Sequence, residues 1–329
     1  MTTMNPNDKQ SFPVKGNPTV GIVVPCYNEE EVIEDSNTKL LTLLEELKKE
    51  KLADSKSFIG YIDDGSKDTT WKILRDLSKK NPSIKAIKLS RNYGHQFALL
   101  SGLASYNGFA DCLISIDADL QDDIKVIKDM IREFQEGVDI VYGVRKSRKK
   151  DTFFKRFTAV SFYKLMRFFG VDVVFNHADF RLSSKRVNTY LNDFEEVNLF
   201  LRGIFPLIGF KSSNVYYDRM ERLAGETKYP LKKMLAFALE GISSFSVKPL
   251  RMVTFIGFII FIVSIGMAFY SLYSYFYLGT VPGWTSITLP IYFISGIQLL
   301  SIGVIGEYLG KVYREVKARP RYIIEEEIL

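Results

Sequence analysis

Asp117 and Asp119 stand two residues apart at the end of an apolar run, Leu113, Ile114 and Ile116, broken only by Ser115. That run has the composition of a strand buried on both faces of a sheet. Alternation along a strand puts the two carboxylates on one side, where the strand stops. Paired carboxylates repel unless a cation lies between them, and hard divalent ions such as Mg²⁺ or Mn²⁺ prefer oxygen ligands. The chemistry on offer is a metal site that clamps a phosphate-bearing substrate. The competing reading is a polar turn in which Asp122 or Asp123 caps the next helix.

The elements that must position this pair alternate along the chain. Thr19–Pro25 (TVGIVVP) predicts a first buried strand, and the apolar spacing of 30–50 predicts a helix. Phe58–Ile62, Ile84–Leu89 and Asp139–Val144 read as further strands. Helices follow around Trp71–Leu77, over 96–105 and over Ile127–Phe134. Such alternation predicts an α/β domain with a mostly parallel, doubly wound, Rossmann-like sheet. Ligands of such sheets sit at the carboxyl ends of the strands. Polar groups gather there: Asn28 and Glu29, Asp63 and Asp64, Asp117 and Asp119, then Arg145. Acidic groups can hold a base edge, ribose hydroxyls and a metal, and Arg145 can meet a phosphate. Neither G-x-G-x-x-G nor G-x-x-x-x-G-K-[ST] is present, which argues against a dinucleotide dehydrogenase and a P-loop ATPase.

The segments VVPCYNEE, YIDDGSKDT, LSRNYGHQFAL and ISIDADLQDD, in this order, resemble the nucleotide-sugar half of a family 2 glycosyltransferase with a GT-A fold. HADFRL, ERLAGETKYP and the apolar C-terminal region extend the likeness to the polyisoprenyl-phosphate glycosyltransferases, the group of bactoprenol glucosyltransferase and dolichyl-phosphate mannose synthase. The resemblance implies an inverting transfer of one sugar, glucose or a related hexose, from a UDP-sugar to a polyisoprenyl phosphate. It implies a metal bound by Asp117, Asp119 and Gln121. The nucleotide-sugar would meet Pro25, Tyr27, Asn28, Glu29, Asp63, Asp64, Arg91, Asp117 and Ala118. Asp119, Arg145 and Asp179 would act at the transferring group. Arg145, Arg156, Arg222 and Lys228 would grip the acceptor phosphate and the diphosphate. Neither tryptophan follows an arginine, so the Gln-x-x-Arg-Trp signature of processive synthases is absent. Two alternatives stay open: another lipid acceptor, or a non-catalytic nucleotide-binding partner of a flippase.

Asp179 itself has two readings, a general base or the partner that holds Arg181 in an ion pair. An acceptor phosphate is already ionised at neutral pH and reduces the need for a base. From Arg145 to Phe168 cations interleave with phenylalanines, which suits a membrane surface or an anionic lipid, or else a helix with a solvated basic face.

The composition agrees with a partly membranous chain. Hydrophobic residues make up 47% of the 329, with a net charge of +6, and no charged residue or histidine occurs from Met252 to Gly306. A membrane span needs about 20 apolar residues, so this interval predicts two spans, near 252–278 and 286–307. Lys248 and Arg251 precede them; Lys311, Arg314, Lys317, Arg319 and Arg321 follow. The positive-inside rule then puts both termini and the catalytic domain on the cytosolic side of the cell membrane. Such a hairpin favours a homo-oligomer. The basic residues form no nucleic-acid-like stripe, and Cys26 and Cys112 read as isolated core thiols. The expected organisation is a disordered leader (1–18), a GT-A domain (19–220), a phosphate-gripping loop with an interfacial helix (221–250), two transmembrane helices (251–310) and a cytosolic tail (311–329).

Overall fold

The computed structural model describes residues 16–145, 177–196, 199–218, 248–277 and 283–329. Arg156, Arg222, Lys228, residues 1–15 of the expected leader and the expected interfacial helix lie outside them. The chain forms two compact units, one holding the sheet and the last ten residues, the other holding two long helices.

In the first unit the strand runs read from the sequence are strands: β1 (Val20–Cys26), β2 (Phe58–Asp63), β3 (Ile84–Leu89), β4 (Cys112–Ser115) and β5 (Ile140–Arg145). Between them come α1 (Ile33–Lys49), α2 (Thr70–Lys80), α3 (His95–Tyr106) and α4 (Ile127–Gln135). β6 (His177–Ser184), α5 (Lys185–Asn192), α6 (Leu201–Ile208) and β7 (Ser212–Tyr217) complete that part, and β8 (Ile324–Ile328) returns at the end of the chain. The sheet order is β7-β5-β6-β4-β1-β2-β3-β8.

β1, β2, β3 and β4 pair in parallel, as alternation predicts. β5 and β7 pair in parallel as well, so the sheet is mostly parallel, with two strands reversed. β6 runs antiparallel between β4 and β5, and β8 runs antiparallel on the outer edge of β3. The sheet therefore combines a parallel majority with two antiparallel strands. The reversal matters for the site, because β6 brings its amino end to the edge where the parallel strands present their carboxyl ends.

Both faces of the sheet are covered, which is why β1 and β2 read as unbroken apolar runs. On one face Val20, Ile22, Val24, Ile59 and Tyr61 join a cluster with Leu40, Leu44 and Leu47 of α1, Trp71 and Leu74 of α2, and Met130 and Ile131 of α4. Tyr61 donates its hydroxyl there to Asn37 Oδ1 at 3.1 Å. α3 covers the opposite face. Its fully buried Tyr106 lies over Gly60 and donates to Tyr61 O at 3.0 Å. A Cβ on Gly60 would come within 2.2 Å of the Tyr106 ring, so only glycine permits this approach. Both cysteines are buried and free.

The second unit contains α7 (Lys248–Tyr277) and α8 (Trp284–Val316), of 30 and 33 residues. Some of their side chains lie outside the described residues. Among the described residues no helix is long and apolar enough to cross a membrane. The charge-free interval of the sequence covers Met252–Tyr277 of α7 and Trp284–Gly306 of α8.

Gly60→Ala should lower stability by about 1–3 kcal/mol, the usual cost of overpacking a filled core. The fall should appear in the thermal unfolding midpoint, and an unchanged midpoint would show that Tyr106 can move aside.

Candidate active site

Beyond Ser115 the chain leaves the sheet and turns. Leu120 N–H donates to Asp117 O at 3.2 Å, and Leu120 has φ of 43°. A bulky residue in the left-handed region is strained by roughly 1–2 kcal/mol. Two contacts hold it: Ala118 O accepts from Ser36 Oγ of α1 at 2.6 Å, and the Leu120 side chain packs on the core. The turn sets Gln121 against Asp119, whose carboxylate accepts from both the side-chain amide and the backbone N–H of Gln121. The Asp117 side chain is 45% exposed at the mouth of the cleft. Desolvation there raises its carboxyl above the ordinary value, and Asp179, Asp122 and Asp119 push the same way against His95.

Arg145 ends β5 and donates from Nε and Nη2 to Asp122 Oδ1 at 3.2 and 2.9 Å. Asp122 is buried, so its charge needs this guanidinium, while 28% of the Arg145 side chain stays exposed. The Asp-rich turn and the end of β5 are thus tied by a partly buried ion pair.

Asp179 lies near the start of β6. Arg181 Nη2 donates to its Oδ1 at 2.6 Å, and Arg202 of α6 donates from Nε and Nη2 at 3.2 and 3.0 Å. His95 Nε2 stands 3.6 Å from Asp179 Oδ2 and 3.6 Å from Asp117 Oδ1. Burial pulls the Asp179 carboxyl upward, but Arg202, His95 and Arg181 overcome it and hold it well below the ordinary range. A carboxylate so held is a weak proton acceptor. Burial would lower His95; the nearby carboxylates of Asp179 and Asp117 outweigh that and raise it. Of the two readings of Asp179, the geometry shows the ion pair with Arg181.

The loops after β1, β2 and β3 form the other wall. Asn28, at φ 54°, donates its backbone N–H to Ser66 Oγ at 2.9 Å and accepts from Lys67 N at 2.8 Å. Glu29 N–H donates to Thr70 Oγ1 at 2.9 Å. Asp63 accepts from Ser66 N at 3.3 Å, and Asp64 accepts from Tyr93 N and Gly94 N at 2.7 and 2.9 Å. Burial raises both carboxyls, and these bonds oppose it. Gly65 has φ of 66°, and a Cβ there would lie 2.4 Å from the Arg91 backbone, so glycine lets the two loops meet. Arg91 stacks its guanidinium over Tyr93 at 4.0 Å, and Tyr27 is 39% exposed beside the end of β1, where Pro25 lies buried.

The structure thus brings Asp117, Asp119, Gln121, Arg145 and Asp179 to one edge of the sheet, with the β1–β3 loops beside them. Three residues escaped the reading as site members. His95 lies inside the LSRNYGHQFAL segment, so a signal existed; Asp122 was weighed only as a cap. Arg202 has no local signal, since its partner is 23 residues away in another element. Among the described residues no group of three or more His, Cys, Asp or Glu is arranged to hold a metal ion. Two carboxylates and an amide do fit an ion of the Mg²⁺ kind, which binds one or two carboxylates and completes its shell with water and substrate phosphate.

Residues 21–191 match the model of glycosyl transferase family 2. "Uncharacterized glycosyltransferase YkoT" of Bacillus subtilis is 51% identical over 96% of this chain and 93% of its own. "Prophage bactoprenol glucosyl transferase homolog" of Escherichia coli is 41% identical over 93% of this chain and 98% of its own. "Bactoprenol glucosyl transferase" of Shigella phage SfX is 39% identical over the same shares, 93% and 98%.

Asp179→Asn should cost about 3–5 kcal/mol at neutral pH, because it leaves the buried Arg181 guanidinium without a counter-charge. The folded-state value of Asp179 is depressed, so its stabilisation is complete above about pH 4 and is lost as pH falls through the folded value. Denaturant unfolding of wild type and variant should therefore differ most at neutral pH and converge in acid. Equal stability at neutral pH would remove the ion pair from this account.

Proposed function

The chain belongs to glycosyl transferase family 2, and from that membership we propose that this glycosyltransferase is membrane-bound and inverting, moving one hexose from a UDP-sugar to a polyisoprenyl phosphate. Glucose is the first donor sugar to try, and the product would serve cell-envelope glycan modification. The observation that carries this reading is the likeness, over nearly the whole of both chains, to proteins named bactoprenol glucosyl transferase. The donor would lie along the ends of β1, β2 and β4, against Asn28, Glu29, Asp63, Asp64, Arg91 and Asp117.

The acceptor phosphate attacks the anomeric carbon from the face opposite the diphosphate. A bond from phosphate oxygen to carbon forms as the bond from carbon to the departing diphosphate oxygen breaks, which inverts the centre. The phosphate arrives ionised, so no residue need take a proton, in keeping with the weak basicity of Asp179. Asp117, Asp119 and Gln121 would hold Mg²⁺ or Mn²⁺, which supplies charge to offset the leaving diphosphate. Arg145, held by Asp122 and 28% exposed, would meet a phosphate oxygen. Arg156, Arg222 and Lys228 belong to the same reading as grips on the acceptor phosphate.

The hairpin α7–α8 is the proposed membrane anchor and the surface for self-association. Its support is the charge-free stretches Met252–Tyr277 and Trp284–Gly306 inside helices of 30 and 33 residues.

Incubation with a panel of labelled nucleotide sugars and polyisoprenyl phosphate should give one lipid-linked product that disappears in excess chelator and returns with Mg²⁺ or Mn²⁺. Asp119→Asn should lose well over about tenfold in kcat, since a charge beside a leaving diphosphate contributes several kcal/mol. Full turnover in chelator would sink the metal assignment, and product on a diacylglycerol instead would replace the acceptor.

Both outer ends of the hairpin should face the cytosol. Single cysteines at position 282 and within 311–321, in a background without Cys26 and Cys112, can be labelled on whole cells with an impermeant thiol reagent. Reaction at 282 alone is expected, and reaction in the 311–321 segment alone would invert the topology.

A further inference from the structure

The last ten residues belong to the sheet-bearing unit although two long helices precede them in the chain. β8 docks on the edge of β3, with Lys88 opposite Glu326 and Leu89 opposite Ile324. Its side chains reinforce the docking. Glu326 accepts from Trp71 Nε1 at 3.2 Å and from Arg75 Nη2 at 2.7 Å, and Glu325 pairs with Lys88 at 2.9 Å.

The approach to this strand touches both walls of the cleft. On one wall Ser90 N–H donates to Ile323 O at 3.0 Å, at the root of the loop that leads to His95. On the other, Arg321 Nη1 donates to Phe194 O, at the start of the segment that leads to Arg202. The two walls also meet each other: Leu201 N–H donates to Gln96 Oε1 at 2.8 Å, and Arg202 and His95 converge on Asp179. The last ten residues thus contact the roots of two connections that lead to His95 at the start of α3 and Arg202 in α6.

We propose that Pro320–Ile328 is a positioning strap for the active site, with Arg321 as the residue that, through Phe194, sets Arg202 against His95. Arg321 acts through Phe194 O and touches no reacting atom. Only Lys317–Arg319 separate the strap from α8, so the cleft is tied covalently to the end of the proposed membrane hairpin. The inference uses the glycosyltransferase reading only for its kinetic arm.

The test uses the full chain in detergent, in a Trp284→Phe background, so that Trp71 emission alone reports whether β8 is docked. In Arg321→Ala, Trp71 emission should stay as in the parent. Amide exchange in peptides covering Phe194–Arg202 and Ser90–Leu99 should quicken by about threefold or more, as expected when a local anchor is lost. kcat should fall about tenfold with nucleotide Kd within about twofold, the pattern of misplaced groups in a site that still binds. Arg321→Lys, which keeps a donor for Phe194 O, should restore most of both. Unchanged exchange in both peptides would overturn the proposal. So would Trp71 emission shifted to that of a chain cut after Arg319, since the strand would then be detached and the role merely structural. If the parent turns over no donor and acceptor pair, the exchange and emission results decide the strap, and the failure belongs to the proposed reaction.

Discussion

A guanidinium buried in the sheet is the constraint on which the cleft depends. Arg181 is 1% exposed on β6, between β4 and β5, where water cannot reach it. A charge in that position is tolerable only with a counter-charge in contact. Asp179 supplies it from the same face of the strand, two residues away, and the Phe205 ring lies 4.3 Å from the guanidinium carbon. Once Asp179 is fixed, its second oxygen gathers Arg202 and His95. Elements far apart in sequence (α3, β6 and α6) are thereby drawn to one carboxylate.

The reversed strand makes this possible. Parallel strands deliver only their carboxyl ends to the ligand edge, which suffices for Asp63, Asp117 and Arg145. β6 enters from the other direction, and its Arg181 lies opposite Ser115 of β4. Two residues beyond Ser115 and two before Arg181, Asp117 and Asp179 each come within 3.6 Å of His95 Nε2. A wholly parallel sheet would carry Asp179 to the opposite edge. The mixed order is thus the arrangement that lets a carboxylate pair and its cations share one cleft.

Much of this was legible in the sequence. The β1, β2 and β4 runs were readable because strands buried on both faces show as nearly unbroken apolar stretches, and the carboxylates at their ends followed from the sheet rule. The Asp179–Arg181 pair was legible as one of two options, since strand alternation puts residues 179 and 181 on one side. The antiparallel course of β6 was not, because HADFRLSS alternates like any half-polar segment and direction is set by partners. β8 escaped notice for a related reason. IEEEI looks like an acidic tail until Lys88, Arg75 and Trp71 are found beside it. Arg202 and Arg321 gave no signal at all, as each acts on a group remote in the chain.

The state of Asp179 bears on which acceptors the cleft can serve. A hydroxyl acceptor must lose a proton as it attacks, and the group that takes it needs a pKa near the working pH. Asp179, engaged by two guanidiniums, is far from that condition, and its loss as a counter-ion would expose Arg181. His95 lies between two carboxylates that favour its charged form, so it too is poorly suited to accept a proton. An acceptor phosphate brings its negative charge with it and asks only for cations and an open line to the anomeric carbon. The electrostatics that keep the buried arginine tolerable are those that favour an acceptor already ionised.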